Sequence, residues 1–359
     1  MENKGIIKIG SGELKKNSKN IIGDYVGIFL IVLLFTGVTE TNDSKNYKII
    51  YENLKLSPDW GYYIISKIMY FMNGNFEWVI NFYYFTSIFF MYRFVKRYGV
   101  NFLFIIINLF IYTFFYHMNQ IRYFLSFYLF LYSVINFNDR KNKKAFIYMV
   151  FSLLFHKAIL FLFLYVFFMK LSLKKYIKIL IFLSVTMGLL FKIIKSFILK
   201  SDYLMHYRIY FSEEKIPTTI GWLFSVTPWI ITCAIMLLLH WFLTKKNKNL
   251  KKDKYYYELL KLGLFPIIFL IISREFLDIY QRYMFIFQIV YLVYFVYILK
   301  YFKKGSKKLI IILVVLLSLL SYSLVFELGV LLGKTTQKEG LLKIYRAHKC
   351  IGLLINPIN

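Results

Sequence analysis

Two residues set in apolar sequence carry most of the chemistry open to this chain. Arg122 stands in Asn119-Gln120-Ile121-Arg122-Tyr123-Phe124-Leu125-Ser126, and His156 in Phe155-His156-Lys157-Ala158. A charge in a bilayer-spanning helix is costly, so an intramembrane Arg marks a functional site by default. Arg presents a planar fork that takes two phosphate oxygens at once. Arg208, Arg274 and Arg282 belong with Arg122, since all four fall on the face opposite the lysine-rich loops, and they are half of the chain's eight arginines. Together they point to a phosphorylated ligand such as a lipid diphosphate. Alternatively, each pairs with a local carboxylate or snorkels to the interface.

Arg274, Asp278 and Arg282 are spaced four apart, so on one helix they would form an Arg–Asp–Arg ladder. Tyr280 and Tyr283 add hydrogen-bonding aromatic surface beside them. A base is also needed if a sugar hydroxyl is the nucleophile. Asp43, in Thr41-Asn42-Asp43-Ser44-Lys45-Asn46-Tyr47, is one candidate, with helix capping as its structural role. His156 is the other, with a buried hydrogen bond as its structural role. The segment 200–218 holds Asp202, His206, Arg208, Glu213 and Glu214, of which Arg208 is the residue to single out.

Composition says what surrounds these residues. The 359-residue chain is 59% hydrophobic, with a mean hydropathy of +0.57. Its apolar residues come in runs of about 17–24, the length of a bilayer span. The net charge is +28, from 46 Lys and Arg against 18 Asp and Glu. With no basic soluble domain, that excess reads as positive-inside topology and attraction to anionic lipid; a nucleic-acid partner is not implied. Cys233 and Cys350 make neither a disulfide framework nor a metal site. No cleavable signal pattern appears, and residues 21–39 read as a retained first span. There is no phosphate-cradling Gly-rich loop, Walker-type lysine or Gly-x-Ser-x-Gly nucleophile. Energy for a reaction would have to come from an activated substrate, with no cofactor.

The predicted fold is all-α and polytopic: one membrane domain over 1–331 with about ten spans, then a basic tail over 332–359. Spans are predicted near 22–39, 76–95, 100–117, 121–138, 176–199, 219–243, 255–273, 280–300 and 308–331. Basic loops at 93–97, 139–144, 170–178, 245–254 and 303–308 should be cytoplasmic. That holds only if 61–73 is an interfacial helix of the first outer loop, 40–73. It also requires 145–168 to be two broken half-helices meeting near His156; the alternative is one plain span with a misplaced basic loop. Irregular backbone at membrane depth survives only where protein or a wet cavity covers it.

Three stretches resemble the EpsG family of Wzy-like polysaccharide polymerases. Asn42 to Tyr51, followed by Pro58-Asp59-Trp60-Gly61-Tyr62-Tyr63-Ile64-Ile65-Ser66-Lys67, resembles that family's first outer loop. Gln120 to Ser126 resembles its Ile-Arg-Gln-x-Leu-Ala stretch, with Tyr123 where Gln is usual. Phe155-His156-Lys157-Ala158 resembles its Phe-His-x-Ser. The likeness covers most of 22–300. It implies a layout similar to membrane glycosyltransferases of the GT-C type, in the bacterial cytoplasmic membrane with the active site outside. It further implies polymerisation of undecaprenyl-diphosphate-linked oligosaccharide repeat units into capsule, exopolysaccharide or O-antigen. In that reading Asp43 or His156 is the base, and Arg122, Arg208, Arg274 and Arg282 bind diphosphate. Asn119, Gln120, Asp278 and Tyr283 support them, and no metal takes part. Membrane lipids are partners; a flippase and a chain-length regulator are left open. The rival readings are a single-sugar transferase using a polyprenyl-phosphate donor, and a flippase of lipid-linked oligosaccharide. A flippase predicts inverted repeats, which the sequence does not show.

Overall fold

The computed structural model describes residues 18–36, 44–53, 59–112, 117, 120–200, 219–275, 277–303, 305–308 and 310–312. Among these, all regular structure is helical. In chain order the helices are α1 (Ser18–Thr36), α2 (Ser44–Glu52), α3 (Trp60–Phe71), α4 (Phe76–Arg97), α5 (Phe102–Tyr112) and α6 (Ile121–Asn138). They continue with α7 (Asn142–Phe155), α8 (Leu164–Phe168), α9 (Leu173–Lys200), α10 (Thr219–Lys246), α11 (Lys254–Leu264) and α12 (Leu277–Ile298). The stretches Leu173–Phe197, Ser225–Lys246 and Arg282–Tyr301 are long and apolar enough to cross a membrane. This is a membrane protein built of helices.

The axis of the molecule is α6, whose residues from Ile121 to Asn136 are nearly all buried. α7 runs back along it across a seam of small residues. Ser152 donates to the Ser126 carbonyl at 2.8 Å, Ser126 returns a bond to the Ser152 carbonyl, and Ser133 donates to the Ala145 carbonyl at 2.8 Å. Small hydroxyl side chains let two helices come this close and hydrogen-bond across the gap. The seam also sets the register. Arg122 is four residues before Ser126, and His156 is four after Ser152, so both lie about one helical turn beyond the seam, at the same level.

The helix stops at that level. α7 ends at Phe155, His156 is extended (φ −161°, ψ 118°), and Lys157–Phe163 is a 3-10 turn leading into α8. The return segment then descends: Phe163 stacks near Phe130, Tyr165 reaches the Glu258 carbonyl, and Lys261 caps the carbonyls of Met169 and Leu171 at 2.8 and 2.5 Å. Residues 142–171 thus leave one end of the molecule and come back to it. Of the two arrangements open for 145–168, the broken pair of half-helices is the one adopted. The backbone groups freed by the break find partners: His156 N–H on the Ser152 carbonyl, Ile159 N–H on the His156 carbonyl, and Lys157 N–H on Asp59.

The end to which the chain returns is rich in exposed lysine, including Lys141, Lys143, Lys144, Lys174, Lys175, Lys245 and Lys246. A charged cluster staples four helices there. Arg97, at the end of α4, grips Asp139 in bidentate fashion at 2.7 and 2.9 Å and reaches Glu258 of α11 at 3.4 Å. Tyr98 donates to Glu258 at 2.6 Å, and Lys254 donates to the Asn138 carbonyl at 2.7 Å. Asp253 caps α11 through Tyr256 N–H and accepts from Tyr297 and Lys300 of the α12 end.

Candidate active site

Asp59 gathers the site at the opposite end of α6. It sits at the N-cap position of α3 in extended conformation, and its carbonyl takes the Tyr62 N–H at 3.1 Å. Its side chain does not cap that helix. Instead Oδ2 meets Arg122 Nη1 at 2.9 Å and His156 Nδ1 at 3.2 Å, while Oδ1 receives the Lys157 N–H at 3.4 Å. The His156 contact has the length of a hydrogen bond but not its alignment, so it is a close polar contact that becomes an ion pair when the imidazole takes a proton. Gly61 makes the approach possible. A Cβ there would stand 2.7 Å from the Phe155 ring and 2.9 Å from the Leu154 carbonyl, so only glycine lets α3 begin against the end of α7.

The Asp59 side chain is 5% exposed. Burial alone would raise its pKa. The His156 imidazole, the Arg122 guanidinium and the Lys157 N–H outweigh burial and hold the carboxyl below its ordinary value. Asp59 is therefore ionised near neutrality and is a poor proton acceptor. Its chemistry is to orient its two partners.

Arg122 lies with its guanidinium 4.7 Å from the Tyr47 ring centroid and 5.4 Å from that of Tyr62. Tyr62 in turn donates to the Tyr47 carbonyl at 2.9 Å, tying α2 to α3 behind the arginine. The His156 ring meets Tyr123 edge to face at 5.1 Å and is about a quarter exposed, while its Nδ1 is buried toward Asp59. A carboxylate on Nδ1 leaves Nε2 as the nitrogen that can exchange a proton with a bound molecule.

Other residues named from the sequence fall around this centre to different degrees. Tyr283 joins it: its hydroxyl donates to the Ala158 carbonyl at 2.5 Å, two residues past His156, and its ring stacks on Phe269 at 4.0 Å. Arg282 is exposed and within electrostatic reach of the Tyr123 and Tyr283 hydroxyls. Gln120 is half-buried at the N-cap of α6, without a capping bond from its side chain. Arg274 is exposed at the end of a 3-10 turn (Ile272–Arg274), and α12 starts only at Leu277. The single helix needed for an Arg274–Asp278–Arg282 ladder is therefore interrupted, and the neighbouring Glu275 pairs with Lys195 at 2.7 Å. Asp43, Asn119 and Arg208 lie outside the described residues, as does the side chain of Asp278. Among the described residues, no three His, Cys, Asp or Glu side chains gather as metal ligands would.

Sequence reasoning missed Asp59 as the centre and Lys157 as an exposed cation beside it. Asp59 was visible in the outer-loop stretch as one acidic residue among several. Its partners are 63 and 97 positions away, and no local pattern links them.

A family model describing the EpsG family matches residues 24–329. The chain belongs to the EpsG family. All three segments that meet at Asp59 lie inside the matched range. No curated protein and no solved structure matches the chain significantly. Membership of the EpsG family fits a polysaccharide-related membrane protein and is consistent with glycosyltransferase-like polymerisation.

Proposed function

We propose that this EpsG-family protein joins oligosaccharide repeat units carried on undecaprenyl diphosphate, at the outer face of the bacterial cytoplasmic membrane. One observation carries the reading: a single buried carboxylate holds a guanidinium and an imidazole side by side, drawn from three separated segments. That is the equipment for moving a proton and steadying an anion in one place.

In the proposed reaction, His156 Nε2 takes the proton from a hydroxyl of the acceptor sugar. The oxygen attacks the anomeric carbon of the donor, the carbon–oxygen bond to the diphosphate breaks, and undecaprenyl diphosphate leaves with the electron pair. Arg122, Arg282 and the exposed Lys157 offset its negative charge. Asp59 fixes the imidazole through Nδ1 and stabilises its protonated form. The base is thus assigned to His156 and the carboxylate of the first outer loop to positioning. On this reading the chain crosses the membrane about ten times, the lysine-rich end is cytoplasmic, and α3 lies at the outer interface. A flippase would supply the donor from the cytoplasmic side, and a chain-length regulator would act on the product.

Deletion of the gene in its host, followed by analysis of lipid-linked glycans, tests the proposal. Accumulation of a single repeat unit at the outer face is the expected result. Accumulation at the cytoplasmic face would indicate a flippase. Loss of one sugar from an otherwise normal glycan would indicate a single-sugar transferase.

A further inference from the structure

We infer that the Tyr123 hydroxyl is a substrate-binding group that donates a hydrogen bond to a phosphate oxygen of the lipid-linked donor. This rests on the diphosphate chemistry proposed above and adds a residue to it. Tyr123 follows Arg122 directly on α6 and is 3% exposed, yet among the described residues its hydroxyl has no hydrogen-bond partner. Three neighbouring tyrosines differ. Tyr62 donates to the Tyr47 carbonyl, Tyr128 pairs with His117 at 2.6 Å, and Tyr283 donates to the Ala158 carbonyl. A buried hydroxyl left unpaired is costly, and Tyr83, which is also unpaired among the described residues, packs on Tyr62 and Phe155 where Tyr123 packs on the imidazole.

Its place supplies the use. The Tyr123 ring packs on His156 at 5.1 Å and lies 6.0 Å from Tyr283, and Arg282 is within electrostatic reach of its hydroxyl. The phenol packed on the imidazole and the guanidinium within electrostatic reach of that phenol are then two donors. Both groups can donate at the same time only to a partner that accepts from each. They suit an acceptor-only partner, which a phosphate oxygen is and a sugar hydroxyl is not. Tyr283 cannot share the task, because its hydroxyl is already spent holding the backbone past His156.

Full-length protein in lipid nanodiscs, titrated with undecaprenyl diphosphate, gives the test. Tyr123→Phe removes only the hydroxyl and should weaken binding about 10- to 100-fold, the value of one hydrogen bond to a charged group. Its thermal unfolding should be no lower than wild type, since no protein contact is lost. Tyr83→Phe, the same change at a fully buried hydroxyl packed between Tyr62 and Phe155, should leave affinity unchanged. Inorganic pyrophosphate should compete with the lipid for wild type and about 10- to 100-fold less well for Tyr123→Phe. Equal affinity of wild type and Tyr123→Phe, or an equal loss in Tyr83→Phe, would overturn the role of Tyr123 alone. No binding of undecaprenyl diphosphate by wild type would overturn the polymerase reading itself.

Discussion

α6 carries an arginine–carboxylate cluster at each end, and the two are built to opposite ends. At the lysine-rich end Arg97 faces two carboxylates, Asp139 and Glu258, with a bidentate grip on the first and Tyr98 completing the second. Both terminal nitrogens of Arg97 and the Tyr98 hydroxyl are spent on carboxylate oxygens there. At the other end one carboxylate, Asp59, serves both Arg122 and His156 through the same oxygen. Exposed Lys157 and Arg282 stand nearby, so cations outnumber anions. The first cluster is held by its own ion pairs and joins α4, α6, α11 and α12. The second leaves exposed cations and a partly exposed imidazole around one carboxylate, which suits the anionic substrate proposed above.

Breaking each cluster should therefore give a different phenotype. The largest effect is expected from Asp59→Asn, which keeps the shape but removes the charge that orients His156. Polymer formed per molecule should fall about 10²- to 10⁴-fold, with an unchanged size-exclusion profile of the purified protein. Arg97→Ala should do the reverse. It strands Glu258, 2% exposed, without its cation, at a cost of about 3–5 kcal/mol. Unfolding temperature and membrane abundance should drop while activity per folded molecule persists.

Acid sharpens the comparison less strongly. Arg97 and Lys254 hold Asp139 below its ordinary value despite partial burial, as His156 and Arg122 hold Asp59. A carboxylate with a lowered folded pKa contributes stability that is present above its unfolded value, about 3.9, and is lost as pH falls through the folded one. The gap in unfolding temperature between wild type and Asp139→Asn should thus be constant from about pH 7 to 5 and shrink below about 4. The smallest effect belongs to Lys254→Met. Lys254 is 55% exposed and 3.4 Å from Asp139, so the stability change should stay under about 1 kcal/mol.

The two clusters were not equally legible in the sequence. Arg122 and His156 stood out because each interrupts apolar sequence, and the break at His156 followed from the basic loop after it. Glu258 also lies within a predicted span, where a charge is as costly as at Arg122, but the lysines around it give a stronger topology signal. Arg97 and Asp139 looked like ordinary loop charges. Asp59 could not be singled out, because choosing among Asp43, Glu52 and Asp59 requires knowing which one α3 carries to the level of Arg122. That depends on the Ser126–Ser152 register and on the contact that Gly61 permits, both set by packing between segments far apart in the chain. Arg274 ends a 3-10 turn and α12 begins at Leu277, a change of helix type that four-residue spacing alone does not reveal, and the Asp278 side chain lies outside the described residues.

The central claim is that the Asp59–Arg122–His156 cluster joins lipid-linked repeat units. Purified protein in nanodiscs, supplied with undecaprenyl-diphosphate-linked repeat units, tests it most directly when the products of wild type and His156→Ala are compared on one gel. The account predicts a ladder of repeat-unit lengths with release of undecaprenyl diphosphate from wild type, and unreacted single units from His156→Ala. A ladder of equal intensity from His156→Ala, or none from wild type, would contradict it.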